Sequence, residues 1–359
     1  MKAPTIAILA ALGGFQAVAQ QITNTPVWVD ARTCNPWAKS HGFPAAAGPG
    51  GLFTIALGII DEITNTALYR MFNPSKQSIE TLPANVLAWE RYRLNSTYGA
   101  FFGNNTETTY PGNVWAVGGL LYGVRAEWGP PPQWAPSLNG DPYIFVVCDD
   151  APYLSKNSNN KLVYTDPYIH AHVQLPGDSI VNDGITTACA TNGQSSYNNY
   201  NVRNHTRNVI ICTKNMNLPL GFTSNGPTTF ASGTTVDVAG KSWLGALYTQ
   251  ALNTESITHG FAASHAIRNT QDAVYNADSN KFYAFALMFD GLFWGSGVGQ
   301  TSQQEYASLQ KTAAGKRIIS AFGLANIAVP ARGITWTNGW TRPNIIEPQN
   351  RHIGAIPTA

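Results

Sequence analysis

Two groups of histidines carry the residue types for metal chemistry. His170 and His172 alternate with Ile169, Ala171, Val173 and Leu175, so a strand through Ile169–Leu175 would put both imidazoles on one face, where they could share a metal. No third ligand lies near them, and two histidines on a polar strand face is the plainer reading. His259, His265 and Asp272 lie between two apolar segments and offer two ring nitrogens and a carboxylate, ligand types that zinc accepts. A spacing of six does not put both histidines on one helical face, so such a site needs loop geometry, and three unrelated loop residues is the competing reading. Trp115, Trp128, Trp134, Trp294, Trp336 and Trp340 stand in Gly- and Pro-rich surroundings, where exposed indoles would stack on sugar rings and buried ones would pack. The chain has no Gly-x-Ser-x-Gly elbow, phosphate loop or dinucleotide fingerprint, so hydrolysis by an activated serine has no support.

The elements that must position these residues are partly legible. Leu52 to Met71 places Phe53, Ile55, Ala56, Ile59, Ile60, Ile63 and Leu68 near helical spacing, and Pro83 suits the first turn of a second helix reaching Leu94. The stretch around Cys34 reads as irregular. Gly129-Pro130-Pro131-Pro132 through Pro136 interrupts regular structure and is the best internal boundary. Pro142–Cys148 and Val209–Cys212 read as short buried strands, and Asn182–Asn208, rich in Asn, Ser, Gly and Thr, as a surface loop. Ser242 can cap a helix bearing Trp243, Leu244, Leu247, Tyr248, Ala251 and Leu252. A further helix runs from Ala277 into Phe293, apolar on every face between Phe282 and Phe289, and Ser302 with Glu305 forms a capping box for a helix through Lys316. The tail from Pro330 reads as extended.

Composition narrows the setting. Lys2, an apolar run from Ile6 to Phe15 and the triplet Ala17-Val18-Ala19 follow the order of an export signal, giving residues 1–19 as a signal peptide and Gln20 as the first mature residue. No later stretch has the run of apolar residues that a membrane span needs. Charged residues are only 12%, and a net charge of +2 gives no field for nucleic acid or an anionic membrane. Cys34, Cys148, Cys189 and Cys212 are even in number and scattered, which favours disulfides in an oxidising compartment over a zinc knuckle; three pairings are open. Asn95, Asn104 and Asn204 head N-glycosylation triplets.

From Tyr248 to Phe289 the chain resembles the secreted fungal zinc peptidases of the deuterolysin and lysine-specific endopeptidase type, the aspzincins. Asn276-Ala277-Asp278-Ser279 matches the opening of that family's buried helix, with Tyr283 and Ala284 where Phe-Ala would stand. Val209-Ile210-Ile211-Cys212 and the segment Ile144–Asp150 resemble the family's Cys-ending strands. The family's His-Glu-x-x-His is lost: the resemblance puts Tyr248 at the first His, Thr249 at the Glu and Leu252 at the second His. Asp272 stands near the third ligand.

The expectation is therefore an α+β, zincin-like metallopeptidase fold, helix-rich with a small sheet and disulfide-bonded. It forms one domain over 20–359, with a helical part 20–140, a strand-bearing part with the equivalent of the active helix over 141–329, and a tail 330–359. The expected function is that of a secreted, extracellular glycoprotein, metallopeptidase-like but catalytically inactive, that binds a protein, peptide or wall component and needs no cofactor. Two alternatives stay open: an active zinc metallohydrolase using His259, His265 and Asp272, and a carbohydrate-binding glycoprotein.

Overall fold

A computed structural model describes residues 19–21, 27–72, 83–103, 110–128, 144–156, 162–165, 172–173, 189, 196–201, 206–214, 219–223, 226–252, 258–267, 270–289 and 291–328. The chain divides into two compact units, residues 1–55 with 131–217 and residues 56–130 with 218–359. The Pro-rich boundary at 129–136 coincides with one of the breaks, although each unit is assembled from two separate stretches of chain.

The first unit is built on a five-stranded sheet in the order β1 (Ala19–Gln21), β2 (Val27–Asp30), β3 (Ile144–Val147), β8 (Thr206–Ile211), β7 (Ser196–Asn201). Its centre is parallel: Val27 pairs with Ile144 and Val146 with Val209. Parallel strands are covered on both faces, which is why Ile-Phe-Val-Val of β3 is apolar without alternation and wholly buried. Beyond β3, a 3₁₀ turn (Ala151–Tyr153) leads to a second sheet of β4 (Leu154–Lys156), β5 (Leu162–Thr165) and β6 (His172–Val173). Two disulfides, Cys34–Cys148 and Cys189–Cys212, tie distant parts of this unit together.

Helix α1 (Ala31–Ser40) leaves directly from β2. Asp30 is fully buried and accepts hydrogen bonds from Arg32 N at 3.1 Å, Thr33 N at 3.2 Å, Thr33 Oγ1 at 2.6 Å and Tyr153 Oη at 2.7 Å. A carboxylate with four donors is stable out of water, and this one starts the helix while fixing the turn after β3.

The second unit holds most of α2 (Leu52–Phe72), then α3 (Ala84–Phe102) and α4 (Tyr110–Trp128). The short pair β9 (Phe222–Thr223) and β10 (Gly226–Pro227) follows, and then α5 (Val236–Gly240), α6 (Trp243–Ala251), α7 (Phe261–His265), α8 (Thr270–Tyr275), α9 (Ala277–Met288), α10 (Ser302–Gln310) and α11 (Ala313–Phe322). Every residue of α9 is buried. Helix α5 approaches it backbone to ring, since a Cβ on Gly240 would overlap the Phe282 ring. Trp89, Tyr92, Phe293 and Leu324 form a further apolar cluster with Tyr306, Ile318, Ile319 and Phe322.

Several elements differ from the sequence expectation. The Cys34 stretch is a helix, not irregular chain, because Asp30 supplies a cap strong enough to carry Pro36 inside it. Helix α4 lies outside the sequence expectation, since glycines at 112, 118, 119 and 123 lower its propensity; buried Val117, Leu121, Val124 and Trp128 recur at helical spacing and compensate. Ser196–Asn201, expected in a loop, is a strand paired along its whole length with β8. Helix α9 ends at Met288 rather than reaching Phe293. The capping box belongs to Thr301 and Gln304, one residue ahead of the expected pair, and the expected single helix to Lys316 breaks at Thr312, which caps α11. Of the strand expected at Ile169–Leu175 only His172 and Val173 are described.

Gly240→Ala is expected to lower stability by about 1–3 kcal/mol, because the new methyl group must displace a ring fixed in a packed core. Urea unfolding followed by Trp fluorescence would measure it; an unchanged midpoint would show that Phe282 yields freely.

Candidate functional site

Helix α6 stands where the resemblance puts the catalytic helix. Ser242 caps it by accepting a hydrogen bond from Gly245 N at 3.0 Å, and Trp243, Leu244, Leu247 and Tyr248 are buried. Tyr248 is 0% exposed and its hydroxyl lies 3.1 Å from Thr64 Oγ1, which itself donates to Ile60 O at 2.7 Å. Burial pushes the Tyr248 phenol far above its ordinary range, so it stays neutral. Its ring meets Phe285 of α9 edge to face at 5.6 Å. Thr249 donates its hydroxyl back to Gly245 O at 3.1 Å, and Leu252 is buried at the helix end.

These residues do not fit zinc. The metal takes thiolate, imidazole or carboxylate, and a zinc-bound water also needs a base to take its proton. A neutral phenol held by Thr64, a hydroxyl engaged with its own helix and an isobutyl group supply neither, so no step is derived through a metal there.

Asn276-Ala277-Asp278-Ser279 is organised around a structural task. Asn276 donates from Nδ2 to Ser279 Oγ at 2.9 Å and Ser264 Oγ at 3.1 Å, and its Oδ1 accepts from Thr258 N at 3.3 Å. Asp278 accepts from Lys281 Nζ at 2.6 Å and from Gly260 N at 2.7 Å. Asn280 donates to the carbonyls of Val274 at 2.6 Å and Asn276 at 3.0 Å. The first turn of α9 therefore clamps the segment 258–264 and the end of α8.

That clamp separates the three candidate ligands. His259 is exposed, its Nδ1 3.9 Å from Asp278 Oδ2. His265, at the end of α7, donates from Nδ1 to Ala100 O at 2.6 Å and stacks on Phe261 with ring centroids 5.4 Å apart. Asp272 is exposed on α8. Among the described residues no group of three His, Cys, Asp or Glu side chains is arranged to hold a metal ion. His172 lies on β6 opposite Thr165, while His170 is outside the described residues.

The remaining expectations distribute as follows. Trp128 and Trp294 are each 1% exposed, and Trp294 donates to Phe289 O at 2.8 Å, so both pack. Trp134, Trp336 and Trp340 lie outside the described residues, as do Asn104 and Asn204. Asn95 is exposed on α3, while Thr97, the third residue of its triplet, is buried. All four cysteines are paired. No helix among the described residues is long and apolar enough to cross a membrane.

Sequence reasoning missed the polar groups buried in the second unit. Arg70 and Arg93 flank Glu90 at 3.8 and 3.2 Å, and Arg93 lies 4.4 Å over the Phe293 ring. Glu62 and Asn65 are buried on α2. The available signal was charge inside an apolar helical window, which the spacing of the apolar residues alone does not weigh.

Comparisons with protein-family models, with curated proteins and with solved structures found no match to this chain.

Asn276→Ala removes every hydrogen bond of that carboxamide and strands Thr258 N and the hydroxyls around it. A loss of at least about 2 kcal/mol is expected. Hydrogen exchange should locate the loss in 258–264; a uniform loss across the unit would contradict the clamp.

Proposed function

We propose that this is a secreted, metallopeptidase-like glycoprotein without peptidase chemistry, which acts by binding a protein, peptide or wall component. The observation that carries the reading is the state of Tyr248, Thr249 and Leu252: each is buried, self-satisfied or apolar at the position where the resemblance requires a ligand or a base. Two disulfides support an oxidising, extracellular setting. In this reading α6 and α9 have kept a packed pair of helices, and the catalytic face of α6 has become part of the core through Tyr248 and Phe285.

The metallohydrolase alternative draws less support. His265 is committed to Ala100 O and His259 sits beside Asp278 rather than Asp272. A sugar-binding role draws less still, since Trp128 and Trp294 are buried.

Protein secreted by its native host and dialysed without chelator should carry well under one zinc per chain by plasma mass spectrometry, and should not cleave unfolded casein. Stoichiometric zinc that is lost in His259→Ala and His265→Ala, together with chelator-sensitive cleavage, would establish the metallohydrolase instead. Loss of stability in His265→Ala without any change in metal content is the expected result, because its ring packs on Phe261.

A further inference from the structure

Among the described residues, buried charges are met by opposite charge or by several donors: Glu90 by Arg70 and Arg93, Asp278 by Lys281, Asp30 by two amides and two hydroxyls. Glu62 departs from that pattern. It is 2% exposed on α2, and neither Oε1 nor Oε2 has a hydrogen-bond partner. Asn65, one turn further on and 0% exposed, likewise has no partner for Oδ1 or Nδ2. Leaving four such atoms buried and unmet costs on the order of 1–3 kcal/mol for each group, more where one is charged.

The helix places Asn65 beside both carboxylates: it is three residues from Glu62 and four from Asp61, which stand about 100° apart on either side of it. Exposure falls along that face: Gly58 is exposed, Asp61 half-buried, Glu62 and Asn65 buried. Asp61 bears on Glu62 electrostatically, and with burial as the larger cause it pushes the Glu62 carboxyl up to about 7.

We propose that Asp61, Glu62 and Asn65 form a binding site for a hard divalent cation of the calcium type. Two carboxylates and a carboxamide oxygen are hard donors, which suit calcium or magnesium and disfavour zinc. Calcium tolerates irregular geometry and takes water for the ligands a protein does not supply. The cation supplies the charge that Glu62 lacks and gives Asn65 Oδ1 a partner. This site is separate from the Tyr248 position and does not depend on the binding role proposed above.

The test is thermal unfolding of the full protein at pH 8, stripped with EGTA and then titrated with calcium chloride, beside Glu62→Gln. Calcium should raise Tm of the wild type by about 2 °C or more, with no rise in Glu62→Gln. Equilibrium dialysis with radioactive calcium should find about one ion per chain in the wild type and none in the variant. Equal shifts in both proteins, or no shift in the wild type, would overturn the site. Should Glu62→Gln fail to fold, Asn65→Asp serves: a third carboxylate should enlarge the calcium-dependent rise, and an unchanged rise would likewise overturn it.

Discussion

The second unit depends on burying helix α9 on all sides. A helix with no face to solvent must have every polar group of its first turn met from within the protein, and Asn276, Asp278, Ser279, Asn280 and Lys281 are all buried there. Asp278 and Lys281 cancel one another's charge, and the carboxamides of Asn276 and Asn280 take up backbone and hydroxyl groups of the preceding segment. The position of the segment 258–264 follows from that requirement: Gly260 N, Thr258 N and Ser264 Oγ are the partners that the buried turn uses. Phe261 N is held in turn by Asp237 at 2.9 Å, which extends the clamp to α5.

The same constraint gives Asn276-Ala277-Asp278-Ser279 a structural duty of its own. Asn-Ala-Asp-Ser holds a helix in place whether or not a metal lies nearby. On α6, Tyr248 and Leu252 are parts of the core, with the Tyr248 phenol kept neutral by burial, and the partly buried Thr249 is engaged with its own helix.

Several buried charges elsewhere in the second unit are met by partners. Glu90 sits between two guanidinium groups, and Tyr92 donates a short hydrogen bond to Glu305, a carboxyl whose affinity for protons burial raises. Such pairs cost much of what they gain, so their value lies in fixing which helices meet. On α2 the side chains of Glu62 and Asn65 have no hydrogen-bond partner, which interiors seldom leave unexplained.

The sequence by itself determined those elements whose information is local. Apolar residues at three and four residue spacing gave α2 and α6, an unbroken β-branched run gave β3, and Ser242 gave the cap of α6, because each signal lies within one turn or one strand of the element that it specifies. That Tyr248, Thr249 and Leu252 carry no zinc-ligand side chain was legible from residue type alone. Tertiary structure decided what depends on partners far away in the chain. Ser196–Asn201 is polar enough for a loop and becomes a strand only because β8 offers a full ladder; α4 holds its glycines because Val117, Leu121 and Val124 find a core. The cysteine pairing, the separation of His259, His265 and Asp272, and the burial of Glu62 were equally out of reach, because each is set by which segments meet in space, and spacing along the chain does not encode that.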